Sequence, residues 1–227
     1  GCPSTTAFII IHNLALWIVS KFGSIELKEK WCPAWCSGQK LASYCLTEPG
    51  SGSDAASLKT TTVKKGDNYI LNGSKSFISG AGETDCLVLM ARTGKEGPGG
   101  ISCFLLPADL KGIEYGKKEK KMGWRNQPTR VISLSDVEIP ASCLIGEEGQ
   151  GFMIAMQGLD GGRINIATCS VGTAQAALEA AQKYMNEREQ FGKKLSDFQA
   201  LQFKLADMTT ELVAARHFVR LASSKKK

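Results

Sequence analysis

The spacing of apolar residues changes period twice along the chain, from helical to alternating and back to helical, and this limits the fold more than any other feature. From Ser4 to about Gly38 the apolar positions of FIIIHNLALWIVSKFG and IELKEKWCPAW recur at helical spacing. Gly23 is the expected stop between two helices and Ser24 the expected cap of the second. From about Leu41 to Ile145 short β-forming runs (ASYCLT, TTTVKKGDNYIL, KSFIS, DCLVLMART, GISCFLL, GIEYG, RVISLSDVEI) are separated by turn signals. Lys65-Gly66-Asp67 and Asn72-Gly73 read as hairpin turns. Strands this close together, with no helical run between them, predict an antiparallel sheet or barrel.

From about Gly151 the helical period returns. Phe152, Met156, Leu159, Ile166, Ala174, Ala177 and Tyr184 fall near one stripe, although Gly158, Gly161, Gly162 and Gly172 each cost roughly 1 kcal/mol of helix propensity. Ser196 and Gln199 have the spacing of a capping box. Leu201, Leu205, Met208, Leu212, Ala215 and Val219 then alternate at four and three, the seam of an antiparallel bundle. The expected fold is α+β and multidomain. Residues 1–40 form the end of an N-terminal helical domain, 41–147 a central antiparallel β-barrel-like domain, and 148–227 the first part of a truncated C-terminal helical bundle. The seam has one long partner and is still running at SSKKK, so the sequence reads as a fragment of a larger helix, sheet, helix protein.

With 43% apolar and 22% charged residues the chain has the balance of a globular protein. The apolar run from Phe8 to Val19 is too short for a bilayer and contains His12 and Asn13, so a buried core helix is expected and no membrane span. No signal or transit peptide pattern stands at the start. The net charge of +6 comes partly from KKEKK (117–121) and the terminal KKK (225–227), two separate clusters without interleaved aromatics. They read as solvated turn and tail, and no nucleic acid is expected. The eight cysteines, irregularly spaced, read as buried reduced thiols, and with histidine only at 12 and 217 no metal site is expected.

YCLTEPGSGSD (44–54) places an apolar strand against a turn rich in Gly and Ser. Such a turn is either an ordinary surface turn or a nest of amides for an anion, and neither the P-loop nor the Rossmann pattern follows it. Taken with YILNGSKSFISG (69–80), GWRNQPTR, IGEEGQGF, GLDGGRINIA and REQFGKKLSDFQALQFKLADM, in that order and spacing, it resembles the acyl-CoA dehydrogenase family from Pro3 to about Ser224. LDGGRINIA is most similar to the branch acting on isobutyryl-CoA, with the short-chain and short/branched-chain branches as close rivals.

The resemblance implies FAD as cofactor, an acyl-CoA thioester as substrate and electron-transfer flavoprotein as acceptor. It also implies a homotetramer for the complete protein and the mitochondrial matrix as its compartment. The cofactor positions implied are Tyr44, Cys45, Leu46, Thr47, Gly52 and Ser53 on the first segment and Phe77, Ile78 and Ser79 on the second. Leu46 is expected on the ring, Thr47 at the pyrimidine edge, Gly52 and Ser53 at the diphosphate, Phe77 against the ring and Ser79 as a donor at flavin N5. Arg188, Gln190, Phe191, Leu195 and Gln199 are implied to reach FAD in a neighbouring subunit. Arg188 reads equally as a helix-end charge, and the cofactor role of Gln199 competes with its capping role. Ser53, Asp160, Gly161, Gly162 and Arg163 are implied to face substrate, although Asp160 and Arg163 are spaced to pair with each other.

Family chemistry needs a Glu base. In some members it occupies the position of Gly162, and in the others it lies in a loop after the last helices. No catalytic residue is therefore expected within these 227 residues, and Glu147, Glu148, Glu187 and Glu189 read as solvated charges. The expected function is FAD-dependent α,β-dehydrogenation of a short branched acyl-CoA, as in valine catabolism. The alternative is a catalytically incomplete FAD/CoA-binding module.

Overall fold

The computed structural model describes residues 2–226; Gly1 and Lys227, the outer ends of the first and last expected domains, lie outside the described residues. The chain divides into two compact units, one of residues 7–162 and one of residues 2–6 with 163–226.

The first unit begins with α1 (Pro3–Phe22, whose first residues belong to the second unit) and α2 (Ile25–Cys36). Gly23 separates them for a steric reason: a β-carbon there would fall 2.6 Å from the Val19 carbonyl oxygen. Ser24 caps α2, accepting from Leu27 N at 3.2 Å. At 20 residues α1 is longer than its apolar run and is apolar enough to cross a membrane by length and composition. It nonetheless buries Ala7, Ile10, His12, Leu14, Ala15, Ile18 and Val19, the pattern of a core helix. His12 is a structural link. Ala42 N donates to its Nδ1 at 3.2 Å, so Nε2 carries the hydrogen shared with Trp35 O at 3.1 Å, tying α1 to the end of α2 and the start of the sheet.

The sheet comprises β1 (Ala42–Cys45), β2 (Thr61–Lys65), β3 (Asn68–Ser79), β4 (Cys86–Arg92), β5 (Ile101–Pro107), β6 (Ile113–Tyr115), β7 (Thr129–Pro140) and β8 (Leu144–Ile145). Its order is β6-β7-β3-β2-β4-β5-β8, with β1 beside β4. Most pairs are antiparallel, as expected, but β1 runs parallel to β4 and β2 touches β4 in parallel register through Thr61 and Arg92, so the sheet is mixed. β4 is apolar throughout because both of its faces are covered. Cys86, Val88 and Met90 enter a core shared with α1, α2 and the start of the next helix, while Leu87, Leu89 and Ala91 enter a second core with β3, β5 and β7. The sheet curls over that second core: Tyr69 of β3 meets Phe104 of β5, ring centroids 5.0 Å apart, although the two strands are not neighbours in the ladder.

Lys65-Gly66-Asp67 is the β2–β3 turn, with Gly66 at φ 61°. Asn72-Gly73 is not a turn. Both residues lie inside β3, where Asn72 exchanges hydrogen bonds with Asp136 (2.8 and 2.9 Å) across a bulge in β7. A β-carbon at Gly73 would fall 2.7 Å from Thr60 Cα, so the glycine serves a close approach and the strand runs on to Ser79. KKEKK is not wholly solvated either, since Lys121 Nζ donates to Gln127 O and, at 2.9 Å, to Thr129 Oγ1. Of the cysteines, Cys45, Cys86 and Cys103 are buried while Cys2 and Cys36 are exposed, and none of the eight is in a disulfide.

The helix α3 (Gly151–Glu187) starts in the first unit with Gly151, Ile154, Ala155 and Gly158 as its buried face. The expected stripe is displaced from it: Phe152, Met156 and Leu159 are only partly buried and Tyr184 is 56% exposed. Glu148, before the helix, is not simply solvated, because it accepts from the Tyr69 hydroxyl; burial and this carboxylate push the phenol up to about 12. In the second unit α3 is followed by the hairpin β9 (Glu189–Gln190) and β10 (Lys193–Lys194), and then by α4 (Gln199–Lys225). The capping box expected from Ser196 to Gln199 does not form. Asp197 instead accepts from Lys194 N at 3.1 Å, α4 opens at Gln199 without a side-chain cap, and Ser196 O accepts from Gln202 Nε2. Ala174, Ala177, Leu178 and Ala181 of α3 face Met208, Leu212 and Ala215 of α4 across an open apolar groove of ≈ 630 Å³.

Candidate functional site

In the first unit the two expected cofactor segments are brought together by hydrogen bonds at both ends. Ser43 Oγ donates to Ser79 O at 2.7 Å, and Ser76 N donates to Thr47 O at 2.8 Å. Tyr44–Thr47 therefore lies alongside Phe77–Ser79. Not every expected side chain is available there. Cys45 and Ile78 point into the second core and Leu46 into the first, with only 8% of Leu46 exposed. These residues offer mainly backbone. Tyr44 is partly buried, and its hydroxyl is buried without a hydrogen-bond partner.

Phe77 is the opposite case. It sits where β3 carries a bulge against β7, between the pairs Lys75↔Ile132 and Ile78↔Arg130. Its φ of 57° is left-handed and its side chain is 68% exposed. A bulky residue in that region costs roughly 1–2 kcal/mol, and an exposed aromatic ring recovers little of this from the chain's own packing.

The turn Glu48-Pro49-Gly50-Ser51 is closed from both sides, Glu48 N to Ser51 O at 2.9 Å and Ser51 N to Glu48 O at 3.1 Å. Beyond it Gly52 and Ser53 are exposed. A β-carbon at Gly52 would meet no atom within 4 Å, so the chain's own packing does not call for glycine there. Among the described residues, the amide and hydroxyl of Thr47 and those of Ser53 make no hydrogen bond to the chain. Open amides, two free hydroxyls, an exposed ring and the unpartnered Tyr44 hydroxyl fit a flat heteroaromatic ligand that carries an anionic tail. FAD has that chemistry.

Two residues beneath this surface were not anticipated. Lys75 is wholly buried, and its Nζ lies 2.7 Å from Glu48 Oε1 and 3.2 Å from Leu46 O. The Glu48 carboxylate also accepts from Lys59 N at 2.6 Å and Thr60 N at 3.0 Å. Burial works against charge on Glu48, yet the Lys75 ammonium and the hydrogen bonds from Lys75, Thr60 and Lys59 bring its carboxyl below the usual range. Burial lowers Lys75 from its ordinary value, opposed by Glu48. The distances are those of an ion pair. One sequence signal for it existed: Lys75 shares the inward parity of Tyr69 and Leu71 on the same strand.

Asp160, Gly161, Gly162 and Arg163 lie together in the third and fourth turns of α3. Asp160 and Arg163 are exposed, and a β-carbon at Gly162 would meet nothing within 4 Å. In the second unit, Arg188 O accepts from Leu195 N at 2.9 Å and closes the β9–β10 hairpin. Arg188, Gln190 and Phe191 project from it, Phe191 94% exposed at φ 53°, while Leu195 is half-buried and Gln199 exposed. With the capping role of Gln199 gone, its side chain no longer competes between two tasks.

Residues 43–137 match the model of the acyl-CoA dehydrogenase middle domain, and residues 149–227 that of the acyl-CoA dehydrogenase C-terminal domain. The chain belongs to the acyl-CoA dehydrogenase family. It is 54% identical over 224 residues to the mitochondrial isobutyryl-CoA dehydrogenase of Bos taurus, covering 99% of this chain and 54% of that protein. It is 44% identical over 218 residues to the human mitochondrial short-chain specific acyl-CoA dehydrogenase, covering 95% and 53%. The butyryl-CoA dehydrogenase structure from Megasphaera elsdenii superposes with a TM-score of 0.91 at 43% identity, covering 97% of this chain and 57% of that one. The chain spans about half the length of the curated relatives it matches.

Proposed function

We propose that these residues form the flavin-binding wall and part of the acyl-CoA wall of an enzyme that α,β-dehydrogenates a short branched acyl-CoA, isobutyryl-CoA-like, in valine catabolism. The observation that carries the reading is the pairing of an exposed, left-handed Phe77 with the unpartnered donors of Thr47 and Ser53 on the adjacent loop. In it, Thr47 binds the pyrimidine edge, the Gly52 and Ser53 amides bind the diphosphate, Phe77 lies against the ring, and Ser79 donates at the ring's reactive edge. Bound FAD supplies the hydride acceptor. Gly161 and Gly162 leave room for the thioester, with Ser53, Asp160 and Arg163 facing the substrate. Arg188, Gln190 and Phe191 reach the flavin of a neighbouring subunit, which makes the working assembly an oligomer, a homotetramer by family resemblance. Electron-transfer flavoprotein as electron acceptor and the mitochondrial matrix as compartment belong to the same reading. Higher identity to the isobutyryl-CoA relative than to the short-chain one supports the branched substrate.

Glu48 is committed to Lys75 and two amides, so it is not the base, and Gly162 offers no carboxylate. Within residues 1–227 this favours a binding role, the base coming from elsewhere in the enzyme; the second reading is a binding module alone. Titration of FAD into the chain tests what both share: a stable flavin absorbance band lost in Thr47→Val/Ser53→Ala supports them, and no bound flavin refutes them. Anaerobic bleaching of that band by isobutyryl-CoA, in protein carrying the family's remaining segments, separates enzyme from module.

A further inference from the structure

We propose that the buried Glu48–Lys75 pair is a positioning device that sets the 47–54 loop and the left-handed Phe77 in their ligand-ready shape before any ligand arrives. The FAD arm of this inference rests on the flavin reading above.

The pair joins three segments that are distant in sequence. Through its carboxylate Glu48 holds the amides of Lys59 and Thr60, and through its backbone it closes the turn with Ser51, whose Oγ in turn donates to Asp54 O at 2.6 Å. Lys75 reaches back from β3 to Leu46 O, and its neighbour Ser76 holds Thr47 O. A continuous chain of hydrogen bonds thus runs from the residues before Phe77, through Lys75 and Glu48, to Ser51 and the edge of Gly52-Ser53. The position of Phe77 depends on it. Its backbone conformation is costly, and Lys75 and Ser76 on its N-terminal side are the residues anchored.

Stability alone does not account for the pair. Burying two charges is expensive, and apolar residues of similar volume often serve a fold equally well. An apolar pair would fill the space but would leave Leu46 O, Lys59 N and Thr60 N without their present partners, and the loop free to move. What the charges add over an apolar replacement is the shape of the loop.

The test compares Glu48→Gln/Lys75→Met with the parent chain by thermal melting, site-resolved hydrogen exchange and FAD titration. The expected result is a cooperative melt close to that of the parent and unchanged exchange in β4. Amides of the 47–54 loop should exchange about tenfold faster, and FAD should bind about tenfold more weakly. Unchanged loop exchange in the folded double variant overturns the proposal. So does unchanged affinity where the parent binds FAD. If the parent binds no FAD while the loop of the variant still loosens, the flavin reading falls and the clamp stands. Glu48→Asp keeps both charges and shortens the arm by one methylene. It gives the same readout if the double variant does not fold, with faster loop exchange expected and parent-like exchange contrary to the proposal.

Discussion

A β-carbon added to Gly158 would lie 2.9 Å from Leu14 Cδ1, with Ile18 Cδ1 at 3.3 Å, so this glycine is what lets α3 seat against α1. The atoms it would meet are the ends of flexible side chains, so Gly158→Ala should be nearly neutral: its gain in helix propensity offsets a small repacking. Gly158→Val adds two further methyl groups to the same contact and should lose about 1–3 kcal/mol. Gly172 meets nothing within 4 Å, and Gly172→Ala should gain about 1 kcal/mol. Denaturant unfolding of the three variants checks the order; equal effects at 158 and 172 would mean that the α1–α3 contact is not what the glycine serves.

Phe77 makes a sharper comparison possible. Its exposure means that truncation removes little packing, and its φ of 57° means that glycine relieves strain that alanine keeps. Phe77→Gly should therefore be more stable than Phe77→Ala by about 1 kcal/mol, the reverse of the usual order inside a strand. Both should weaken FAD binding if the ring lies against the flavin. Melting curves of the two variants decide the first part, and flavin titration the second.

The two changes of apolar period made the order of elements legible, because burial on one helix face or on alternate strand residues is written directly in residue spacing. β1 beside β4 was not legible. Parallel pairing joins residues far apart in sequence, and ASYC carries no mark of its neighbour. Asn72-Gly73 misled because the same dipeptide that suits a hairpin turn also suits a glycine pressed against Thr60 with an Asn side chain spanning a bulge. At the site, the Gly- and Ser-rich loop and Phe77 stood out in the sequence by composition and by family pattern. The inward faces of Cys45 and Ile78 arise from tertiary packing and appear only in the fold; strand parity placed Lys75 inward, but its pairing with Glu48 is set by the fold.

Phe191 and Gly192 form the two central residues of the β9–β10 turn, both with positive φ (53° and 71°) between the paired Gln190 and Lys193. Such a turn favours Asn-Gly, and an aromatic residue in its first position is costly. Among the described residues, Phe191 recovers an edge contact with Phe198 at 6.4 Å between ring centroids. Phe191→Asn should therefore leave the stability of the 227-residue chain unchanged or raise it by up to about 1 kcal/mol, and, if Phe191 reaches the flavin of a neighbouring subunit as proposed, weaken cofactor binding only in the oligomer. A clear loss of stability in the isolated chain would show that Phe191 serves the local fold instead of a neighbouring subunit.

The buried Glu48 carboxylate contributes to the acid limb of stability. Its folded-state value lies below the ordinary 4.5, so the folded chain binds its proton less readily than the unfolded chain does. The stabilisation is fully present above about pH 4.5 and is lost as pH falls through the lowered value. Lys75 carries the opposite sign: burial lowers it from the ordinary 10.5, so stability gains as pH rises through its lowered value. On the alkaline side the buried thiols act. Burial pushes Cys45 up to about 12 from 9.0 and raises Cys86 and Cys103 as well, so the folded chain keeps protons that the unfolded chain gives up and stability falls as pH rises above 9.0. Melting temperature should thus fall as pH drops below about 4.5 and, through the thiols, as it rises above 9.0, with the Lys75 gain opposing the second decline. Glu48→Gln/Lys75→Met should flatten the acid decline and leave the thiol-driven alkaline decline in place. An acid limb identical to that of the parent would mean that other carboxylates, and not Glu48, govern it.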